Sequence, residues 1–334
     1  MVEMGGAARA WLGMLLVVSV GACSKSQLSS GADGESPGGT KVKLVLNWVP
    51  EPEFGGFYAA RDGGAYRRQG FEVELIGGGA GVPVVQMVAT GRAHFGTIGA
   101  DELLTARAHG ADVVAVFATF QTSPQGIMVH ASRNLTNIAE VFQSGTLAIE
   151  PGMAYATYLK AKFAWDGVQI VPYDGGVARF LTDPMFGQQC YVTSEPIAAK
   201  KQGGDPQVFL IADAGYNPYT TVVVTRRELA EQKPEMVGAF VAATAEGWTS
   251  YLADPRPTNQ VLARLNPSMD AATLEAAVEA ERPLIATEQT RQLGIGTMSA
   301  ERWETLARQL ADLKLIERAP PATDLFVPAV ARKP

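Results

Sequence analysis

Cysteine and histidine are scarce: two cysteines, Cys23 and Cys190, and three histidines in 334 residues. A disulfide framework, a structural zinc site, haem and iron–sulfur ligation are thereby excluded as expectations, and no cofactor and no metal is anticipated. His94, His109 and His130 fall at the edges of predicted elements and read as structural or solvated. Charge is sparse too, at 19%, with a net −6 and no block of like charges. A nucleic-acid binder would carry a basic stripe, so that class is set aside. No apolar run approaches the roughly 20 residues that span a bilayer. No repeat of solenoid length, no Lys-Ser/Thr after the glycines at 77–79 and no Gly-x-Ser-x-Gly elbow occurs. What is abundant is apolar material, 47% of the chain. At roughly 100–200 residues per domain the length suggests two folded units.

Residues 1–22 have the pattern of an export signal: Arg9 in a short polar start, an apolar run from Trp11 to Val20, then small residues. Val20-Gly21-Ala22-Cys23 resembles a bacterial lipobox, in which the signal is cut before the cysteine and the cysteine is lipidated. An ordinary signal with an incidental cysteine is the alternative. Lipid on Cys23 would tether the protein to the membrane surface without spanning it. Residues 23–40, rich in Ser and Gly, read as the flexible tether. Localisation at the cell envelope, exported and lipid-anchored, follows as an expectation.

The folded part alternates strands and helices. Strands are predicted at residues 41–48, 72–76, 95–98 and 113–120, and helices at 54–69, 84–90 and 101–109. The rhythm restarts with strands at 127–130, 147–149, 169–173, 190–192 and 208–211, and helices at 154–164 and 177–181. After a strand at 222–225 the pattern turns helical. Val237, Phe240, Val241, Thr244, Trp248 and Tyr251 share one face of a helix that Pro234 opens and Asp254-Pro255 closes. Trp303, Leu306, Leu310 and Leu313 mark a last helix, with Ser299 as its N-cap. The fold class expected is α/β: two lobes with largely parallel sheets. Lobe 1 is expected to combine residues 41–123 with 222–334, the terminal helices completing it, and lobe 2 to be 124–221. Crossings near 122–126 and 219–222 would then form a hinge over a cleft.

Several segments resemble a known family. Asn47-Trp48-Val49-Pro50, Gly55-Gly56-Phe57-Tyr58-Ala59-Ala60, Gly64-Ala65-Tyr66 and Gly70-Phe71-Glu72-Val73-Glu74 resemble the opening of the thiamin-pyrimidine synthase/precursor-binding family. Its relatives include the sulfonate-, nitrate- and taurine-binding proteins. Lys233-Pro234-Glu235-Met236-Val237, Gly247 and Asp254-Pro255 resemble the same group. The resemblance implies a type II periplasmic-binding-protein fold closing on a small-molecule ligand. It further implies delivery to the permease and ATPase of an ABC importer, with the binding protein itself a monomer. Synthases of the family consume a histidine of their own and use a cysteine-rich motif with iron. That motif is absent here, so an enzyme is not expected.

Ligands in open α/β sheets sit beyond the carboxyl ends of strands. The loops there, at 47–54, 77–81, 99–102, 121–125, 150–155, 173–175, 193–195 and 216–219, contain Glu51, Glu53, Asp101, Glu102, Glu150, Asp174 and Glu195 but no Lys, Arg or His. Burying an anion among carboxylates is costly, so a neutral or cationic ligand is favoured over sulfonate or nitrate. Aromatic rings would stack a flat heterocycle while carboxylates and amides accept from or donate to its edge. A pyrimidine bearing an exocyclic amine fits this description first, and a flavin-like ring such as riboflavin is the alternative. The candidate ligand-binding residues are Asn47, Trp48, Phe54, Asp101, Gln121, Tyr155, Asp174, Glu195, Tyr216 and Asn217. The resemblance places Trp48 against the ligand ring. Five of them have a plainer reading: a core Trp48, a turn-forming Asn47, a surface Tyr155, a helix-starting Glu195, a solvated Asp174. Cys190, in an apolar context, reads as a buried small residue.

Overall fold

A computed structural model describes residues 39–328. The export signal, Cys23 and nearly all of the expected tether lie outside the described residues. Two five-stranded sheets organise the chain. The first comprises β1 (Thr40–Val45), β2 (Phe71–Ile76), β3 (Phe95–Ile98) and β4 (Val113–Phe120). The second comprises β5 (Gln125–His130), β6 (Thr146–Ile149), β7 (Gln169–Pro172), β8 (Phe186–Tyr191) and β9 (Pro206–Leu210); β10 (Thr220–Arg226) returns to the first. Thr40 already pairs with Phe71, so β1 begins one residue before the strand expected from residue 41.

The strand orders are β2-β1-β3-β10-β4 and β7-β6-β8-β5-β9. In each sheet the strand that has just arrived from the other lobe occupies the fourth place. It runs antiparallel to both neighbours, β10 to β3 and β4, β5 to β8 and β9. The two lobes are therefore topological copies joined by two crossings, at residues 121–124 and 211–219.

Lobe 1 carries α1 (Gly55–Asp62), α2 (Ala65–Arg68), α3 (Val84–Ala89) and α4 (Ala100–Ala108). Lobe 2 carries α5 (Ala154–Lys162), α6 (Ala178–Thr182) and α7 (Glu195–Lys201). After β10 come α8 (Arg227–Gln232), α9 (Pro234–Ala253), α10 (Arg256–Leu265), α11 (Ala271–Ile285), α12 (Glu288–Leu293) and α13 (Ala300–Asp312). The helix expected at 54–69 is two: Gly64, at φ +77°, takes a left-handed conformation that non-glycine residues avoid, and the chain turns there.

The first sheet is covered on both sides, which is why every residue of β4 is buried. Val42, Leu44, Phe95, Phe117 and Val223 face α1, α9 and α11, while Val45, Ala115, Val222 and Val224 face α3, α4 and α13. Phe240 of α9 stacks on Phe95 at 3.9 Å and on Tyr66 at 5.1 Å, and the Tyr66 hydroxyl hydrogen-bonds Thr244 Oγ1 at 3.0 Å. Gly247 lets α9 lie directly on α1, since a Cβ there would collide with Gly56 O and Ala60. The C-terminal helices thus pack on the first lobe, and Ser299 caps α13 through the Arg302 amide.

Behind the cleft Val192, Ile197 and Leu210 of lobe 2 pack on the lobe 1 core. Lys201 Nζ at the end of α7 lies 2.5 Å from Asp270 Oδ2, the N-cap residue of α11. Strand β8 starts earlier than the apolar pattern implied, because Gly187-Gln188-Gln189 is polar yet buried. The Gln188 amide donates to Gly176 O at 3.0 Å, and Gln189 Oε1 accepts from Glu150 N at 2.6 Å. These amides satisfy loop backbone that would otherwise be orphaned.

Candidate functional site

The carboxyl ends of the strands in both sheets open on a cavity of about 380 Å³. Lobe 1 contributes Asn47 from the end of β1 and the Gly99–Glu102 turn into α4. Lobe 2 contributes Gly152–Tyr155 at the start of α5 and Tyr191 at the end of β8. Ser123, Tyr216, Pro218 and Thr220 close it on the hinge side.

Each wall is locked from behind. Thr97 Oγ1 accepts from the Asn47 amide at 3.0 Å and donates to Asn47 Oδ1 at 2.7 Å, which leaves the Asn47 Nδ2 hydrogens as the free end. Asp101, in the first turn of α4, accepts from Glu102 N at 3.0 Å and from the Tyr216 hydroxyl at 3.1 Å. Tyr216 lies on the second crossing, so this bond ties the hinge to lobe 1. Burial raises the Asp101 carboxyl above the usual range, opposed by those two donors. Glu102 beside it lines the open cleft and is exposed by surface area; its surroundings and then Asp101 raise its carboxyl above the ordinary value as well. Across the gap the Tyr155 hydroxyl donates to Gln189 Oε1, and burial raises that phenol. The first turn of α5 carries no acid, and its N-cap residue, Met153, makes no side-chain cap.

A second acidic group flanks the cleft. Burial pushes Glu51 up to about 7, helped by Glu195 in the other lobe, with the Trp48 indole N–H working the other way. Glu53 is pushed up to about 8 by burial, then by Glu51 and Glu195. Glu281 of α11 is fully buried, neither carboxylate oxygen has a hydrogen-bond partner, and burial raises it well above its ordinary value. The cavity lining contains two carboxylates and three tyrosines and, among the described residues, no Lys, Arg or His. No group of three or more His, Cys, Asp or Glu is arranged to hold a metal ion among the described residues.

The sequence matches the family described as NMT1/THI5 like over residues 51–258. The chain belongs to that family. Two curated relatives are similar to this NMT1/THI5-like chain along most of its length. Riboflavin-binding protein RibY of Chloroflexus aurantiacus is 24% identical over 313 residues, covering 87% of this chain and 88% of that protein. A formylaminopyrimidine-binding protein of Halalkalibacterium halodurans is 21% identical over 326 residues, covering 94% and 96%. Among solved structures the periplasmic aliphatic sulphonate-binding protein SsuA of Escherichia coli superposes with a TM-score of 0.68 at 15% identity, over 90% of this chain and 95% of that one. The desulfurization enzyme DSZB shares the fold at a TM-score of 0.58 and 15% identity, over 86% and 96%. The periplasmic-binding-protein fold expected from the resemblance is the fold observed.

Of the candidate residues, Asn47, Asp101, Tyr155 and Tyr216 meet at the cavity. Phe54 does not: it is 0% exposed and packs on Phe57 in the lobe 1 core. Gln121 is a correction of the same kind: it does not line the cavity, and its Nε2 donates to Ala118 O at 3.2 Å and Thr297 O at 3.1 Å within the hinge, while its buried Oε1 has no partner. Asn217 also serves the hinge, its Oδ1 accepting from Ser123 N at 2.8 Å. Asp174 is exposed and closes its own turn by accepting from Gly176 N at 3.1 Å. Glu195 heads α7, accepting from the Tyr173 hydroxyl and from Tyr191 N at 2.8 Å. Trp48 is 42% exposed and adjoins Asn47 without lining the cavity. Tyr191, Glu102, Thr105 and Ser123 line it and were not singled out from sequence. Glu102 and Ser123 already lay in loops that follow strands, whereas Tyr191 and Thr105 stand on elements and gave no local signal.

Proposed function

We propose that this chain is the solute-binding component of an ABC importer, capturing in its inter-lobe cavity a small planar heterocycle that carries N–H donors. The observation that carries this reading is the lining itself: Asp101 and Glu102 on one wall, Tyr155 and Tyr191 on the other, Tyr216 at the hinge, and no basic side chain. Carboxylates held partly desolvated accept strongly from amino groups and repel sulfonate or nitrate. The tyrosine rings supply flat faces. The cavity volume falls in the range of small-molecule sites. An amine-bearing pyrimidine is the first ligand to try, in keeping with the formylaminopyrimidine-binding relative. Riboflavin is the second, in keeping with RibY, which is 24% identical over 87% of the chain. Lipid attachment at Cys23 would hold the protein beside its permease.

Binding is favoured over catalysis although enzymes share the fold. Cys190 is buried in β8 and burial raises its thiol well above the ordinary value, so among the described residues no thiolate is at hand. Calorimetry of the protein against an aminopyrimidine, riboflavin, taurine and nitrate tests the reading. The heterocycles should bind and the anions should not; tight taurine or nitrate binding would reverse the ligand assignment.

A further inference from the structure

Arg302, in the first turn of α13, holds both crossings at once. Its Nε donates to Asn217 O at 3.0 Å, and Nη2 to Asn217 Oδ1 at 3.0 Å and Pro218 O at 3.2 Å. Its Nη1 donates to Gln121 O on the other crossing, and the guanidinium lies 3.9 Å over the Tyr219 ring. Neighbouring groups tighten the grip: Thr297 O accepts from Gln121 Nε2 at 3.1 Å, and Ser299 N donates to the Tyr219 hydroxyl at 3.0 Å. The Asn217 Oδ1 that receives Arg302 also receives Ser123 N, so one amide oxygen joins the bracket to both crossings.

Among the described residues no carboxylate pairs with Arg302, and burial pushes its guanidinium down to about 10. A buried cation without a counter-ion is costly, so packing alone does not account for it. What the guanidinium supplies is a planar fork of five donors, able to grip several carbonyls in fixed directions where an ammonium acts as a point. A second constraint lies just beyond the second crossing, at the start of β10. Thr221, a β-branched residue, adopts φ +52°, a left-handed conformation that such residues avoid. Strain of this kind persists only where surrounding contacts over-determine the backbone.

We infer that Arg302 is a positioning residue that couples the two crossings into one hinge, so that the lobes rotate about a single axis and the resting gap is narrowly defined. Without it each crossing would bend separately and the lobes would twist as well as close. The inference does not depend on which ligand the cavity takes.

The test is a distance distribution between spin labels at Glu72→Cys in lobe 1 and Asp166→Cys in lobe 2, both exposed, in a Cys23→Ser background without ligand. The parent should give a single narrow distribution. Arg302→Gln should lose it, giving a broad one, and Arg302→Lys, which reaches one crossing at a time, should fall between. An Arg302→Gln protein with a lower Tm but the parent's narrow distribution would overturn the inference, leaving the residue as packing. Should that variant fail to fold, Asn217→Ala removes only the shared oxygen. Broadening there supports the coupling, and the parent's width there refutes it.

Discussion

Lobe 1 and lobe 2 repeat one strand order, yet they differ in how they are wrapped and in what they present to the cleft. Lobe 1 is sandwiched between helices, including most of the chain after β10, and its core holds Trp248, Tyr66, Phe95, Phe117 and Phe240. Lobe 2 has a small core around Met128, Phe180, Phe186 and Cys190 on one face of its sheet, while on the other Ile127, Val129, Phe142, Leu147 and Leu159 join a core continuous with that of lobe 1; its edge strand β7 is largely exposed. At the cleft, α4 of lobe 1 begins with Asp101 and Glu102, while α5 of lobe 2 begins with no acid. Topology decides where a wall stands, and a few residues at the helix starts decide its chemistry.

The sharpest way to break the contrast is to disturb the tighter packing. Gly247→Val should drive α9 off α1 and cost about 3 kcal/mol, read as a large fall in Tm. Ile170→Ala, on the exposed β7, should stay within about 0.5 kcal/mol. A comparable fall for both would mean that the two lobes are not packed differently.

The next effect concerns pH. Burial pushes Glu51 up to about 7 and Glu53 up to about 8 in the folded protein from an ordinary 4.5, so the native state binds more protons than the unfolded chain between those limits. Their contribution is fully present below pH 4.5 and is lost as pH rises through 7 to 8. Glu53→Gln, neutral throughout, should flatten the decline in a Tm–pH profile by an amount on the order of a few kcal/mol. A profile already flat in the parent would show that these carboxylates are not held protonated.

At the cleft, Asp101→Asn keeps the shape of the acidic wall while removing its charge. Affinity for an amine-bearing heterocycle should fall about tenfold in calorimetry with Tm little changed, since a charge-assisted hydrogen bond is worth roughly 1.5–3 kcal/mol. The smallest effect is expected at Trp48, which is exposed and lies outside the cavity lining: Trp48→Ala should weaken binding by about 1 kcal/mol and leave folding untouched. Unchanged affinity in that variant would remove Trp48 from the ligand's surroundings.

Much of the fold was legible because burial and periodicity coincide. Strands β3 and β4 occupy the predicted residues, 95–98 and 113–120, since a fully covered strand reads as an unbroken apolar run. Strand β8 was half hidden because Gln188 and Gln189 do in the interior what loops need, and helix α1 was drawn too long across Gly63-Gly64. The candidate site was legible where the residue after a strand faces the gap, as at Asn47 and Asp101. It was misread at Gln121 and Asn217, because loops at the same end of a sheet serve both ligand and hinge. Sequence order does not separate those uses. Arg302 lies far along the chain from both crossings that it holds, so no local pattern announces it.

The clasp between Lys201 and Asp270 stands in water on the outside of both lobes, each side chain about half exposed. Added electrolyte will therefore slacken it by well under about 1 kcal/mol, whatever occupies the interior. Any drift of affinity with ionic strength mixes this external buckle with the charge of the guest. A salt series on Lys201→Ala, run beside the parent, separates the two and makes ionic strength a clean reporter of cargo charge.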